Sequence, residues 1–261
     1  VYALHFLIEA KKAGFDVDKD VQNRMTNFII RKLGEKITFK YYYNSNQVKD
    51  IAPKEVAYSL YVLALAGKPQ TSIMNHYKSN LQLLSLDSKY LLASAYSITG
   101  NKMAFSQILP PAFSGEVSQT VTGGSFYSPI RDEAIALNAL IEADANNSQI
   151  PIMSKHVTDG LKLNRYCSTQ EHVFGFLALG KLARNNRNNT ATATVMVNGK
   201  PVGNCGVQNA VVNIKDLRGK KVSITSSGQG SIFYYFVSEG LSMSEKFKQE
   251  DSYMAVRKFF Y

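Results

Sequence analysis

The sequence predicts a mainly α fold with a β C-terminal part: an α/α toroid of helical hairpins followed by a β-sandwich-like segment. Three observations carry this. Apolar residues recur with a period of about 3.6 along residues 1–185. Ala/Leu-rich helices return about every 30 to 50 residues, most followed by a more polar helix, which is the mark of a helical-hairpin array. At Asn185 the pattern changes to strict alternation, which is that of strands. The uneven spacing favours a closed ring over an open solenoid, and a ring buries its inner helices more than its outer ones.

The elements follow in order. VYALHFLIEAKKAG is an amphipathic helix stopped at Gly14, and a second runs from Val21 through Leu33 to Gly34. ITFKYYYNSNQVKD is polar and tyrosine-rich and is expected to be a loop or insertion; Tyr41, Tyr42 and Tyr43 are taken as part of that β-prone loop rather than as a binding platform. Pro53 opens EVAYSLYVLALAG at a favoured first-turn position, and Gly67 with Pro69 ends it. A short helix is expected from Ser72 to Leu84. Asp87 is placed as the cap of KYLLASAYSITG, which stops at Gly100 before NKMAFSQIL. Residues 110–129 are expected to form a loop or short hairpin. IRDEAIALNALIEADAN, IPIMSKHVTDGLKL and STQEHVFGFLALGKLARN complete the helices.

Past the NNRNN linker, TATATVMVNGKPV alternates and turns at Asn198-Gly199, the strongest short hairpin signal. NAVVNIKDL, KKVSITSSG and SIFYYFVSEG are expected as further strands, SMSEKFKQEDS as a connector and YMAVRKFFY as another β element. The domain organisation predicted is a toroid over 1–186, a β segment over 190–240, and a connector with the start of a further β domain over 241–261. Because the chain opens inside an amphipathic helix and closes inside an alternating run, it is expected to be a portion of a longer protein.

Composition narrows the function. Hydrophobic content of 45% with 19% charged residues is that of a folded globular protein. The net charge of +10 is dispersed, with no basic block and no nucleic-acid-binding motif, so a solvated basic surface is the reading and nucleic acid is not an expected partner. No apolar run approaches the roughly 18 residues needed to cross a membrane. Two cysteines, Cys167 and Cys205, make neither a zinc knuckle nor a disulfide framework. His5, His76 and His156 stand apart and no metal or phosphate-loop motif occurs, so no metal and no cofactor is expected.

The stretch CSTQEH, residues 167–172, is the one that invites chemistry. Cys167 and Gln170 have the spacing from which an internal thioester can be built. Cys167 and His172 resemble a nucleophile–base pair. Ser168-Thr169-Gln170-Glu171 is also a capping box just ahead of Val173, Phe174, Phe176 and Leu177, and this explains more of the residues. The macrodipole at a helix start disfavours a charged His172. Cys167 and Gln170 are therefore not assigned as a thioester, and no catalytic residue is assigned. Arg131, Asp132 and Glu133 read as a charged helix start, the two acids suiting the dipole.

The order of segments resembles the bacterial branch of the alpha-2-macroglobulin family. YALHFLIEAKKAG, IRDEAIALNALIEADANN and STQEHVFGFLALGKLAR carry the helical part of the resemblance; VNGKPVG, VVNIKDLRGKKVSITSSGQGSIFYYFVSEG and VRKFFY carry the β part. The resemblance implies the C-terminal part of a toroidal thioester domain with the β segment after it. It implies a broad-spectrum protease trap of the periplasm or outer cell surface, lipid-anchored, whose partners are proteases and the neighbouring macroglobulin-like β domains. The family's thioester motif, Cys-x-Glu-Gln, is absent, since Thr169 stands where Glu is required; no bait region is visible. On this reading the chain is a non-enzymatic scaffold and interaction module. The alternatives kept are a toroid enzyme such as a glycosidase or lyase, against which the absence of Trp and of an Asp-rich cluster counts, and a structural cell-envelope interaction protein.

Overall fold

The computed structural model describes residues 1–35, 37–44, 47–117, 128–163, 166–186, 190–206, 210–230, 232, 234 and 236–240. Two compact units are formed, Val1–Thr190 and Ala191–Tyr261.

The first unit is a row of helical hairpins. Helices α1 (Tyr2–Lys12), α3 (Lys54–Leu65), α5 (Leu86–Ile98), α7 (Pro129–Ala143) and α9 (Thr169–Asn185) alternate with α2 (Lys19–Lys32), α4 (Thr71–Ser79), α6 (Lys102–Ile108) and α8 (Ile150–Leu163). The odd-numbered helices pack on one another, α3 on α5, α5 on α7 and α7 on α9, and the even-numbered ones lie outside them. Sequence explains the division. α3, α5 and α7 carry apolar or small residues on every side and are buried nearly all round, as an inner helix must be. α2 and α8 carry a single apolar stripe and bury only that. Ala93, Ala95, Ala134, Ala136 and Ala139 are fully buried between neighbours, and their small side chains let the inner helices approach closely.

Several expectations need correction. The stretch predicted as a loop is a β-hairpin, β1 (Phe39–Tyr43) with β2 (Gln47–Ile51), pairing Phe39 with Ile51 and Tyr41 with Lys49. Alternation decides it: Tyr41 is 1% exposed while Tyr42 is 42% exposed. Tyr41 stacks on Tyr43 with ring centres 6.1 Å apart, and the Lys49 ammonium lies over both rings, a cation–π arrangement. The helix expected to reach Leu84 ends at Ser79 and gives way to a 3-10 turn over Leu81–Leu83. Asp87 is not the cap of α5; Ser85 holds the cap position with extended backbone, and Asp87 lies in the first turn. Of the loop expected over 110–129, residues 118–127 lie outside the described residues.

The second unit holds a three-stranded antiparallel sheet in the order β4-β3-β5, with β3 (Thr192–Val197), β4 (Lys200–Cys205) and β5 (Val222–Ser227). β3 and β4 meet at Asn198-Gly199 as predicted, with φ of 49° and 78°. Two successive left-handed residues are what a tight hairpin turn requires. NAVVNIKDL is not a strand over its described residues; it runs beside the sheet, where Val212 packs against Gly203 so closely that a Cβ there would meet it at 2.6 Å. The described residues of SIFYYFVSEG form no strand either: Tyr234, Phe236 and Val237 are exposed and have no neighbouring strand among the described residues. The connector and terminal element expected over 241–261 lie outside the described residues.

Candidate functional site

Because every inner helix is followed by a returning one, α3, α5, α7 and α9 start at the same end of the row. Their first turns bring a buried charged cluster together there. Lys54, just inside α3 after Pro53, places its Nζ 2.6 Å from Asp132 Oδ2 of α7 and 3.1 Å from Asp87 Oδ1 of α5. Ser85 Oγ donates to Asp87 over 2.7 Å. Arg131 grips the other oxygen of Asp132 through Nε at 3.1 Å and Nη2 at 2.8 Å, and its Nη1 donates to Gln170 Oε1 of α9 at 3.0 Å. Ser128, the cap of α7, donates to Glu171 of α9. Four helix starts are thus tied by side chains from each.

The electrostatics follow from burial and pairing. Burial opposes the charge of Lys54, but the Asp87 and Asp132 carboxylates outweigh it and hold the ammonium well above the ordinary lysine pKa. Burial and the neighbouring Asp87 push Asp132 up, against Lys54 and Arg131. One lysine between two carboxylates stabilises the first negative charge more than the second. Asp87 and Asp132 are each 4% exposed, and neither lines either of the two cavities described below. Paired carboxylates can do general acid–base work only where substrate reaches them; here they serve as the two arms of a buried ion bridge.

The hairpin β1–β2 borders this end. Asn44 brackets the segment after α6, its amide nitrogen donating to Gly115 O and its oxygen accepting from Val117 N. Glu116 accepts from Lys49 of β2 at 2.7 Å and from the Leu86 amide at the start of α5 at 3.1 Å. Tyr41 lies under Lys54, whose ammonium is 5.3 Å from the ring centre.

CSTQEH lies at the same end. Ser168 caps α9: its Oγ accepts from the Glu171 amide, while the Glu171 carboxylate accepts from the Ser168 amide. Burial pushes Glu171 up, but the bonds that its carboxylate accepts from Ser128 and from the Ser168 amide outweigh this and hold it below the ordinary glutamate value. Cys167 is half-buried just before the cap, and Gln170 is exposed and engaged by Arg131. His172 lies against Phe176, ring centres 5.7 Å apart. The other histidines are dispersed: His5 Nδ1 is 2.7 Å from Tyr58 OH, His156 is 3.0 Å from Glu133, and His76 lies edge-on to Tyr77. Among the described residues no three His, Cys, Asp or Glu side chains are grouped to hold a metal, and no helix is long and apolar enough to cross a membrane.

A second cluster occupies the opposite end, where the same helices finish. Lys181 of α9, 5% exposed, places Nζ 2.9 Å from Glu9 of α1 and 2.6 Å from Glu142 of α7. Lys12 of α1 joins both acids, at 3.4 and 3.0 Å. These groups, with Ala13, Ile141, Arg184 and Asn185, line a cavity of about 320 Å³. Burial raises both carboxylates, but their hydrogen bonds and the lysines more than offset it, so Glu9 and Glu142 stay below the ordinary glutamate value. An apolar groove of about 390 Å³ runs between α1 and α2.

Sequence reasoning missed the Lys54–Asp87–Asp132 bridge. A signal was present: all three sit in the first turn of a strongly apolar helix, after Pro53, Ser85 and Pro129. Asp132 is read in the sequence against its own helix dipole, with a catalytic role set aside, and Asp87 as a cap, so neither is joined to Lys54.

No family profile matches the chain, and no curated protein matches it. Its fold is found in solved structures of bacterial alpha-2-macroglobulins. The Salmonella protein reacted with methylamine is 20% identical with a TM-score of 0.54, over 86% of this chain and 14% of that one. The trypsin-activated Escherichia coli protein is 18% identical with a TM-score of 0.56, over 86% and 14%. The E. coli protein activated by porcine elastase gives 18%, 0.56, 86% and 19%. The chain spans less than a fifth of the length of these proteins, and at such identity the likeness is one of fold.

Proposed function

We propose that this chain is a non-catalytic scaffold and interaction portion of a protease-trapping protein of the alpha-2-macroglobulin type. The fold shared over 86% of the chain carries the reading; the order of the sequence segments that resemble the family supports it. On this reading residues 1–186 are part of a toroidal thioester-type domain and 190–240 the β segment after it. The protein acts in the periplasm or at the outer cell surface, lipid-anchored, with proteases and its own neighbouring β domains as partners. Covalent capture is not assigned to this chain, because Thr169 stands where the family motif has Glu, and Ser168 and Glu171 between and beside Cys167 and Gln170 form a helix cap.

The test uses the full-length protein that contains this chain, incubated with trypsin or elastase. A trap leaves the protease active on a small chromogenic peptide and shields it from a folded protein substrate. Unchanged digestion of the large substrate at molar excess overturns the reading. The Asp87–Asp132 pair is the one observation that favours a toroid glycosidase or lyase, and its burial under Lys54 weighs against it.

A further inference from the structure

The charged residues at the starts of α3, α5 and α7 are a reactive arrangement as well as a bridge. The side chains of Lys54, Asp87 and Asp132 are 14%, 6% and 6% exposed. Lys54 Nζ is 2.6 Å from Asp132 Oδ2 and 3.1 Å from Asp87 Oδ1. The Tyr41 ring, its centre 5.3 Å from the ammonium, closes the lysine in from the hairpin side. An amine and a carboxyl group held in contact, sheltered from water, are the reactants of an amide. Holding two well-oriented groups together is worth an effective concentration of about 10⁵–10⁸ M.

Each part of the reaction has a group in place. Access of substrate is no obstacle, because the nucleophile is Lys54 itself. Burial and Asp87 push Asp132 up, towards the protonated acid that an amine can attack, against Lys54 and Arg131. Arg131 holds the other oxygen of Asp132 from Nε at 3.1 Å and Nη2 at 2.8 Å. It is placed to stabilise negative charge on that oxygen as the carbon becomes tetrahedral. Asp87 is within reach of the ammonium proton, and Ser85 Oγ fixes Asp87 by donating to it over 2.7 Å. Against burial, the two acids hold Lys54 above its ordinary pKa, so giving up that proton is uphill. A bond made once per molecule tolerates a slow step.

We propose that Lys54 and Asp132 condense to an amide that ties the first turns of α3 and α7 covalently, with Asp87 as the proton acceptor. The Lys54 ammonium passes one proton to Asp87. The free amine attacks Cγ of the protonated Asp132 carboxyl group, and the Nζ–Cγ bond forms. The Cγ–Oδ2 bond breaks, and Oδ2 leaves as water with its own proton and a second one from the nitrogen. The amide keeps the last nitrogen hydrogen, Asp87 ends as the neutral acid, and no oxidant is needed. The product removes an ammonium and a carboxylate charge from a site where burial penalises both. It also joins residues 78 positions apart, which restrains the unfolded chain. The cross-link goes beyond the protease-trap reading and does not depend on it.

Peptide mapping of the full-length protein that contains this chain tests it. The folded protein is purified, denatured and digested with trypsin, and the peptides are weighed. A branched peptide is expected in which the segment with Lys54 is joined to the segment with Asp132, lighter than the two together by one water and uncut after Lys54. Asp87→Asn is expected to lower the joined fraction at least about tenfold, read on protein whose circular dichroism is unchanged. Separate, unmodified Lys54 and Asp132 peptides from the unaltered protein overturn the proposal. An Asp87→Asn protein joined as fully as the unaltered one also overturns it, since proton transfer to Asp87 is part of the step.

Discussion

Lys54 donates to Asp132 across 2.6 Å, joining the first turns of α3 and α7 over 78 residues of chain. Asp87 approaches the same ammonium at 3.1 Å, so the three inner helices of the core converge on one nitrogen. The bridge lies where three positive helix ends meet, a place suited to acids, and the lysine relieves the repulsion between two of them.

Replacing Lys54 by Met leaves two buried carboxylates without their common partner. Loss of one partner of a buried ion pair costs about 3–5 kcal/mol, and urea unfolding of Lys54→Met is expected to show a loss in that range. A loss below about 1 kcal/mol would mean that Arg131 and Ser85 suffice to hold the acids.

The cap of α9 has a graded expectation. Ser168→Ala removes one acceptor and should cost about 1 kcal/mol. Glu171→Ala removes the return bond to Ser168 and the bond from Ser128 together, and should cost more. A double-mutant cycle between Ser128→Ala and Glu171→Ala should show coupling, since the two touch; additive losses would contradict the contact.

Acid should weaken the fold through Glu9, Glu142 and Glu171. All three lie below the ordinary glutamate value of 4.5. A carboxylate with a depressed folded pKa contributes stability that is present above its unfolded value and lost as pH falls through the folded one. Urea midpoints are expected to decline as pH drops from about 5 towards 2. Asp132, pushed upwards, acts in the opposite sense and shallows the decline. A Glu9→Gln, Glu142→Gln double variant should flatten the curve; an unchanged slope would remove these two carboxylates from the account.

Methylamine tests the reading of CSTQEH directly. Incubation of this chain with methylamine is expected to leave its intact mass unchanged. A gain of one methylamine with release of one thiol would establish a Cys167–Gln170 thioester and displace the capping box as the account of those residues.

Much of the helical part was legible because its signals are local. The stops at Gly14, Gly67 and Gly100, the alternation of apolar and polar helices, the capping box at Ser168 and the Asn198-Gly199 turn each reside in a few adjacent residues. The β1–β2 hairpin was taken as a β-prone loop because NSNQVKD is polar and no glycine marks a turn; what fixes the two runs as strands is the burial of Tyr41 and Ile51 against the helices, which adjacent residues do not reveal. SIFYYFVSEG has the composition of a strand, but its described residues have no partner strand among the described residues, and a strand needs a neighbour to bond to.

By itself the sequence determined most of the helices and several of their stops, which of them are apolar all round, and where the helical part gives way to the C-terminal sheet, because periodicity and capping act within a turn or two. Tertiary structure alone decided that Lys54, Asp87 and Asp132 share one bridge, and that Glu9, Lys12, Glu142 and Lys181 form one clasp. Ion pairing acts over a few ångströms of space, and only the packing of parallel inner helices brings residues so far apart in the chain within that distance.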